Sequence, residues 1–214
     1  MAMEIKQFEF NDFHENTYVI WDETLQCMIV DPGCYSQKEK DELKNFILGK
    51  QLKPVLLVNT HCHIDHILGN NFVSETWNLP LHLHKEELKT YEETGRWADF
   101  FGIVTKEMPK ELVFIDETKT LSFGNSSFEI LFTPGHSIAS LSFYNQKQNF
   151  VIAGDVLFSR SIGRTDLPGG NHQVLLDTIR QKLFKLPEDC IVYCGHGPAT
   201  VIGEEKKYNP FLNN

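Results

Sequence analysis

Several things are missing from this chain, and each absence removes a class of function. No apolar run approaches the roughly 20 residues needed to cross a bilayer. Residues 1–9 carry acidic side chains and no apolar core, so a secretory peptide is not expected. A basic excess is lacking as well. The 20 Lys and Arg face 29 Asp and Glu, for a formal charge of −9, whereas phosphate binding needs clustered cations. Neither nucleic acid nor a membrane is therefore an expected partner. No even-numbered cysteine framework exists: Cys27, Cys34, Cys62, Cys190 and Cys194 make five, and the last two are not spaced C-x-x-C. A reduced, cytoplasmic setting is expected, with the thiols acting as small buried hydrophobes. No linker, low-complexity tract or Pro/Gly-rich boundary divides the 214 residues, so residues 1–214 are expected to form one domain. The apolar (41%) and charged (23%) fractions are those of a globular chain with a packed core.

What is present centres on Thr60-His61-Cys62-His63-Ile64-Asp65-His66. Residues 55–58 (Val-Leu-Leu-Val) read as a buried strand, and a helix-like pattern runs from Ile67 to Trp77. The polar cluster thus falls at the carboxyl end of a strand, where open α/β sheets place ligands. In an extended segment His61 and His63 point the same way, while Asp65 and His66, beyond the turn, point elsewhere. Two imidazoles in one direction and a carboxylate–imidazole pair in another suggest two adjacent metal positions. Packing alone gives no reason to crowd these groups together. Imidazole and carboxylate suit zinc or iron, with manganese also possible. Alternation turns Cys62 to the opposite face.

The flanking chain supports an α/β order. Strands are expected near 16–20 and 27–30, and Ser36 with Glu39 forms a capping-box pattern for a helix burying Leu43, Phe46 and Ile47. The second half repeats this order. A hairpin at 141–155 ends in Asp155, a helix carries Val174, Leu175, Ile179 and Leu183, and a strand at 191–193 leads to His196. Asn16 and Asp31 stand 124 positions before Ser140 and Asp155 (140−16 and 155−31), which suggests a pseudo-twofold with the site at its seam. Glycines precede His136, Asp155 and His196, permitting tight turns where ligands converge. His14, His82, His84 and His172 lack such context and read as structural or surface residues.

H-x-H-x-D-H after an apolar strand, followed by Gly135-His136, Gly154-Asp155 and Gly195-His196, resembles the metallo-β-lactamase superfamily over nearly the whole chain. The resemblance is strongest to glyoxalase II-like thioester hydrolases of the short type. It implies an αββα four-layer sandwich and two divalent ions, zinc first. His61, His63 and His136 would hold one ion, Asp65, His66 and His196 the other, and Asp155 would bridge them. Asp65 and Asp155 are the candidate catalytic carboxylates, Asp65 as a ligand rather than a base. Asp31 would support a ligand imidazole from behind, although an Asp before Pro32 is also an ordinary turn former. The implied reaction is attack of a metal-bridged hydroxide on a thioester such as S-lactoylglutathione. A thiolate leaving group needs no dedicated general acid, and the sequence offers no obvious one.

Two departures bear on substrate. Aspartate stands at 155, where two-zinc β-lactamases often carry cysteine. Arg164 stands where glyoxalase II has a lysine, and keeps a positive charge for a substrate carboxylate; the tyrosine expected near Asp166 is missing, as is the extra helical domain. The Gly163-Arg164-Thr165-Asp166 run also resembles mononuclear-iron persulfide dioxygenases, which remain the alternative, ahead of a non-catalytic metal-binding protein. Residues 85–101, acidic and aromatic through Tyr91, Trp97, Phe100 and Phe101, read as an outer helix or as a rim over the substrate. Oligomeric state is open.

Overall fold

A computed structural model of the chain describes residues 3–104 and 108–213, without the side chains of 95–97 and 99–101. Trp97, Phe100 and Phe101 of the expected rim therefore lie outside the described side chains. The chain is mixed α/β with two six-stranded sheets. It divides into two compact units, Met1–Ile115 with Ser122–Ser127, and Asp116–Leu121 with Phe128–Asn214.

The first unit runs β1 (Glu4–Phe10), β2 (Glu15–Trp21), β3 (Gln26–Val30), α1 (Gln37–Gly49), β4 (Lys53–Val58), α2 (Ile64–Ile67), α3 (Asn70–Trp77), β5 (Leu81–Leu83), α4 (Glu87–Phe101) and β6 (Leu112–Phe114). Its strands lie in sequence order, antiparallel from β1 to β3 and parallel from β3 to β6. Every residue of β2 is buried, so this strand shows no polar face for alternation to reveal. Ser36 accepts from Glu39 N–H while the Glu39 carboxylate takes Ser36 N–H, completing the expected capping box of α1. That helix buries Leu43 and Ile47 fully, each a gain of roughly 1.5–3 kcal/mol. The core they join includes Phe8, Phe10, Val19, Ile29, Leu57 and Cys62. The expected helix of 67–77 is two, with α2 opening at Ile64.

The second unit contains half of β7 (Thr120–Phe123) and most of β8 (Ser126–Phe132), then β9 (Leu141–Asn145), β10 (Phe150–Gly154), β11 (Leu157–Phe158), β12 (Ser161–Ile162), α5 (His172–Gln181), β13 (Ile191–Cys194), β14 (Thr200–Val201) and α6 (Ile202–Tyr208). Here β8, β9 and β10 are antiparallel and β13 is parallel to β10, the order that β1 to β4 follow in the first unit. β10 begins and ends 124 positions after β3 (150−26 and 154−30). α5, capped by Asn171, buries Leu175 and Ile179 against Val151, Ala153 and Val192. Each unit thus brings a parallel strand to a polar loop, β4 to His61 and β13 to His196. No helix among the described residues is long and apolar enough to cross a membrane.

Candidate metal centre

In the first unit, the loop after β4 is fixed from behind by Asp31. This residue follows β3 with φ 48°. Its carboxylate accepts from Thr60 N–H at 2.7 Å, Thr60 Oγ1 at 2.5 Å and Asn59 Nδ2 at 3.3 Å, and lies 3.1 Å from His66 Nδ1. Thr60 Oγ1 donates to Asp31, so it accepts from His61 Nδ1 at 3.0 Å. Both imidazoles therefore carry their proton on Nδ1 and present the Nε2 lone pair, the tautomer a cation requires. Asp31, His61 and His66 offer donor atoms within 4.8 Å of one another. The Asp31 oxygens, however, are committed to the loop and act by orienting it.

The His61 ring lies 4.2 Å from that of His66 and 4.7 Å from that of His63, centroid to centroid. His66 Nε2 is 3.5 Å from Asp65 Oδ2. His63 is extended (φ −66°, ψ 154°) and stands at the N-cap position of α2, whose first turn brings the His66 ring close to that of His61. Cys62 is fully buried and joins the hydrophobic core of the first unit.

In the second unit, Asp155 Oδ2 lies 3.5 Å from Nε2 of both His136 and His196. The Arg164 carbonyl accepts His136 Nδ1–H at 2.7 Å, again leaving Nε2 for a cation. Gly163 permits this approach, because a Cβ there would stand 1.9 Å from the Asp155 carbonyl oxygen and 3.0 Å from His136 Nδ1. Of the three glycines preceding ligand candidates, Gly135 and Gly154 adopt positive φ (126° and 54°); Gly195 does not, and Gly197, after His196, does. Donors about 2.1 Å from a tetrahedral ion are separated by about 3.4 Å. The 3.5 Å spacings of Asp65 with His66, and of Asp155 with each of its two imidazoles, fit that edge. Donor type and tautomer fit a divalent cation too.

The Arg164 side chain is exposed and bound bidentately by Asp166, at 2.7 Å through both Nε and Nη2. The hydrogen bonds from Arg164 pull the Asp166 carboxyl down to about 2. A substrate carboxylate would have to share the guanidinium with Asp166. Burial pushes Cys27, Cys34, Cys190 and Cys194 up to about 12, and Cys62 up as well, so none is a thiolate near neutral pH. His14 pairs with Glu9 at the surface, His82 bonds the Leu57 carbonyl, His84 takes Glu86 N–H, and His172 opens α5.

Sequence reasoning missed Glu15, Asn59, Thr60 and Glu87. Glu15 is buried, accepts from Thr17 Oγ1 at 2.9 Å and lies 3.9 Å from His66 Nδ1; burial raises its carboxyl well above the usual range. The Glu15 and Thr17 pair on one face of β2 was visible in the sequence, but nothing there showed that both were buried.

The model of the metallo-β-lactamase superfamily matches residues 11–196. A probable metallo-hydrolase, YqgX of Bacillus subtilis, is 40% identical over 88% of each chain. The hydroxyacylglutathione hydrolase GloC of Haemophilus influenzae is 34% identical over 99% of each. Among solved structures, the B3 metallo-β-lactamase BLEG-1 superposes with a TM-score of 0.88 at 37% identity, covering 99% of this chain and 100% of its own. The di-iron-bound form of TTHA1623 gives 0.86 at 31%, covering 97% and 100%. This chain belongs to the metallo-β-lactamase superfamily, as a metallo-hydrolase.

Proposed function

We propose that the protein hydrolyses a thioester of the S-lactoylglutathione kind at a binuclear metal centre. His61, His63 and His136 would hold one divalent ion and Asp65, His66 and His196 the other, with Asp155 shared. The observation that carries this reading is the carboxylate of Asp155, placed equidistantly between the cation-facing nitrogens of two imidazoles. A thiolate there would suit the two-zinc β-lactamases instead. The thioester comes from the match with GloC, which runs over 99% of both chains. Bound cations would supply Lewis acidity and lower the pKa of a coordinated water to roughly 7. The ion is zinc, with iron the first alternative because TTHA1623 has been solved with two irons.

The chain's own part is orientation. Asp31 and Thr60 hold His66 and His61 as neutral Nε2 donors, and the Arg164 carbonyl does the same for His136. The Arg164 guanidinium would engage a substrate carboxylate in partial exchange for Asp166. A departing thiolate, whose conjugate acid has a pKa near 8.5, needs no protonation from the protein.

The decisive experiment reconstitutes the protein with zinc and with iron and counts metal per chain. It then follows thiol release from S-lactoylglutathione under argon, oxygen uptake with glutathione persulfide, and hydrolysis of a β-lactam. The expected result is about two ions per chain and one thiol per acid formed without oxygen. Rapid oxygen uptake with no anaerobic cleavage would assign the persulfide dioxygenase reaction instead, and turnover of the β-lactam alone would move the protein to the class of BLEG-1. Arg164→Ala should raise KM for the carboxylate-bearing thioester and leave an uncharged thioester nearly unaffected.

A further inference from the structure

We propose that Glu87 and Thr94 of α4 are positioning residues for the metal-ligand loop, gripping the chain on either side of Cys62. Cys62 N–H donates to Glu87 Oε2 at 2.9 Å, and Thr94 Oγ1 donates to the Cys62 carbonyl at 2.9 Å. The first bond orients the peptide plane joining His61 to Cys62, and the second the plane joining Cys62 to His63. Those two planes set the Cα–Cβ directions of His61 and His63, the ligand candidates with one residue between them. The inference rests on the proposed role of these two histidines.

Glu87 and Thr94 are seven positions apart (94−87), two turns of helix, and so share one face. One rigid element therefore holds the loop at two points. Both side chains are buried, Glu87 completely. A buried carboxylate is costly unless strongly bonded, and its place in the first turn of α4 reduces that cost through the helix dipole. Packing alone would favour an apolar side chain here. Thr94 contributes less than Glu87, because its single hydroxyl proton is also 2.9 Å from the Thr90 carbonyl, an ordinary back-bond within the helix.

The test compares Glu87→Ala, Glu87→Gln, Thr94→Val, the exposed-site control Glu86→Ala, and His61→Ala as the reference ligand loss. Each is measured for affinity toward zinc by chelator competition, for the visible spectrum of its cobalt form, and for melting of the metal-free protein. Glu87→Ala should weaken metal binding about tenfold to a hundredfold and shift the cobalt bands, as loss of a residue that orients ligands does. Glu87→Gln, whose amide oxygen still accepts Cys62 N–H, should recover most of both; Thr94→Val should cost a few-fold, and Glu86→Ala nothing. Lowered melting in Glu87 and Thr94 variants with unchanged affinity and spectrum would make the contacts structural and overturn the proposal. If Glu87→Ala fails to fold, Glu87→Gln and Thr94→Val read the same contrast. Metal retained in full by His61→Ala would refute the site assignment itself, and this inference with it. Metal lost in His61→Ala but kept unchanged in the α4 variants would refute only the inference.

Discussion

Asp31 and Asp155 stand 124 positions apart, each one residue beyond a strand that pairs antiparallel with the strand before it and parallel with a later one, β4 for β3 and β13 for β10. Their surroundings give them different work. Asp31 receives a backbone N–H, a hydroxyl, an amide and an imidazole Nδ1, all serving to shape the loop after β4. Asp155 instead faces two imidazole Nε2 atoms, the atoms proposed above as cation ligands. Thr60 accounts for much of the difference, since its N–H and hydroxyl both claim Asp31. A repeated backbone therefore does not repeat chemistry; the donors brought to each carboxylate decide it.

The largest effects should come from breaking that contrast. Asp155→Ala should lower metal affinity by more than a hundredfold while leaving the melting of the metal-free protein nearly unchanged. Asp31→Ala should do the reverse in emphasis. It strands the buried Thr60 N–H and hydroxyl, at a cost of about 3 kcal/mol in urea denaturation of the metal-free protein, and weakens metal binding only through the loosened imidazoles. Equal destabilisation by both changes would erase the distinction.

Much of this contrast was legible in advance, and the rest was hidden for physical reasons. His61, His63, Asp65 and His66 follow a buried strand so closely that polarity and position alone marked them. Ser36 and Glu39 announced α1 through side-chain chemistry that acts within four residues. Glu15 and Glu87 gave no such signal. A charged residue is usually exposed, and only the long-range pairing of β2 or the path of α4 reveals that these are buried. The short strands β6, β11, β12 and β14, of two or three residues, are too brief for alternation to register. The turn expected after His63 is the opening of α2 at Ile64.

The hairpin connections offer a second, smaller contrast. Asp22 opens the 22–25 connection, and Gln146 holds the same place 124 positions on. Burial raises the Asp22 carboxyl, but hydrogen bonds from Thr24, Asn125 and Ser126 outweigh it and hold the group below its ordinary value. The folded state thus binds this proton more weakly than the unfolded chain does. The stabilisation is complete above about pH 4 and is lost as pH falls through the folded value. Asp22→Asn should cost about 1–2 kcal/mol at neutral pH and flatten the acid limb of stability below pH 4. Gln146→Ala should change neither; an acid limb that survives in Asp22→Asn would place its origin elsewhere.

Both connections close on a residue with positive φ, Leu25 at 64° and Asn149 at 54°. Asparagine tolerates that region through its short polar side chain, whereas leucine pays about 1 kcal/mol for the crowding of Cβ against the backbone. Leu25 is 37% exposed, so little packing offsets the strain. Its carbonyl accepts Lys53 N–H at 2.7 Å, a bond that any residue can keep. Leu25→Asn should therefore raise stability by about 0.5–1 kcal/mol, seen as a higher urea midpoint with an unchanged slope. Asn149→Leu should lower it by at least as much, since the bond from Asn149 Nδ2 to Asp189 goes too. A lower midpoint for Leu25→Asn would mean that the exposed leucine is held for its contacts, and that the two turns are alike in backbone only.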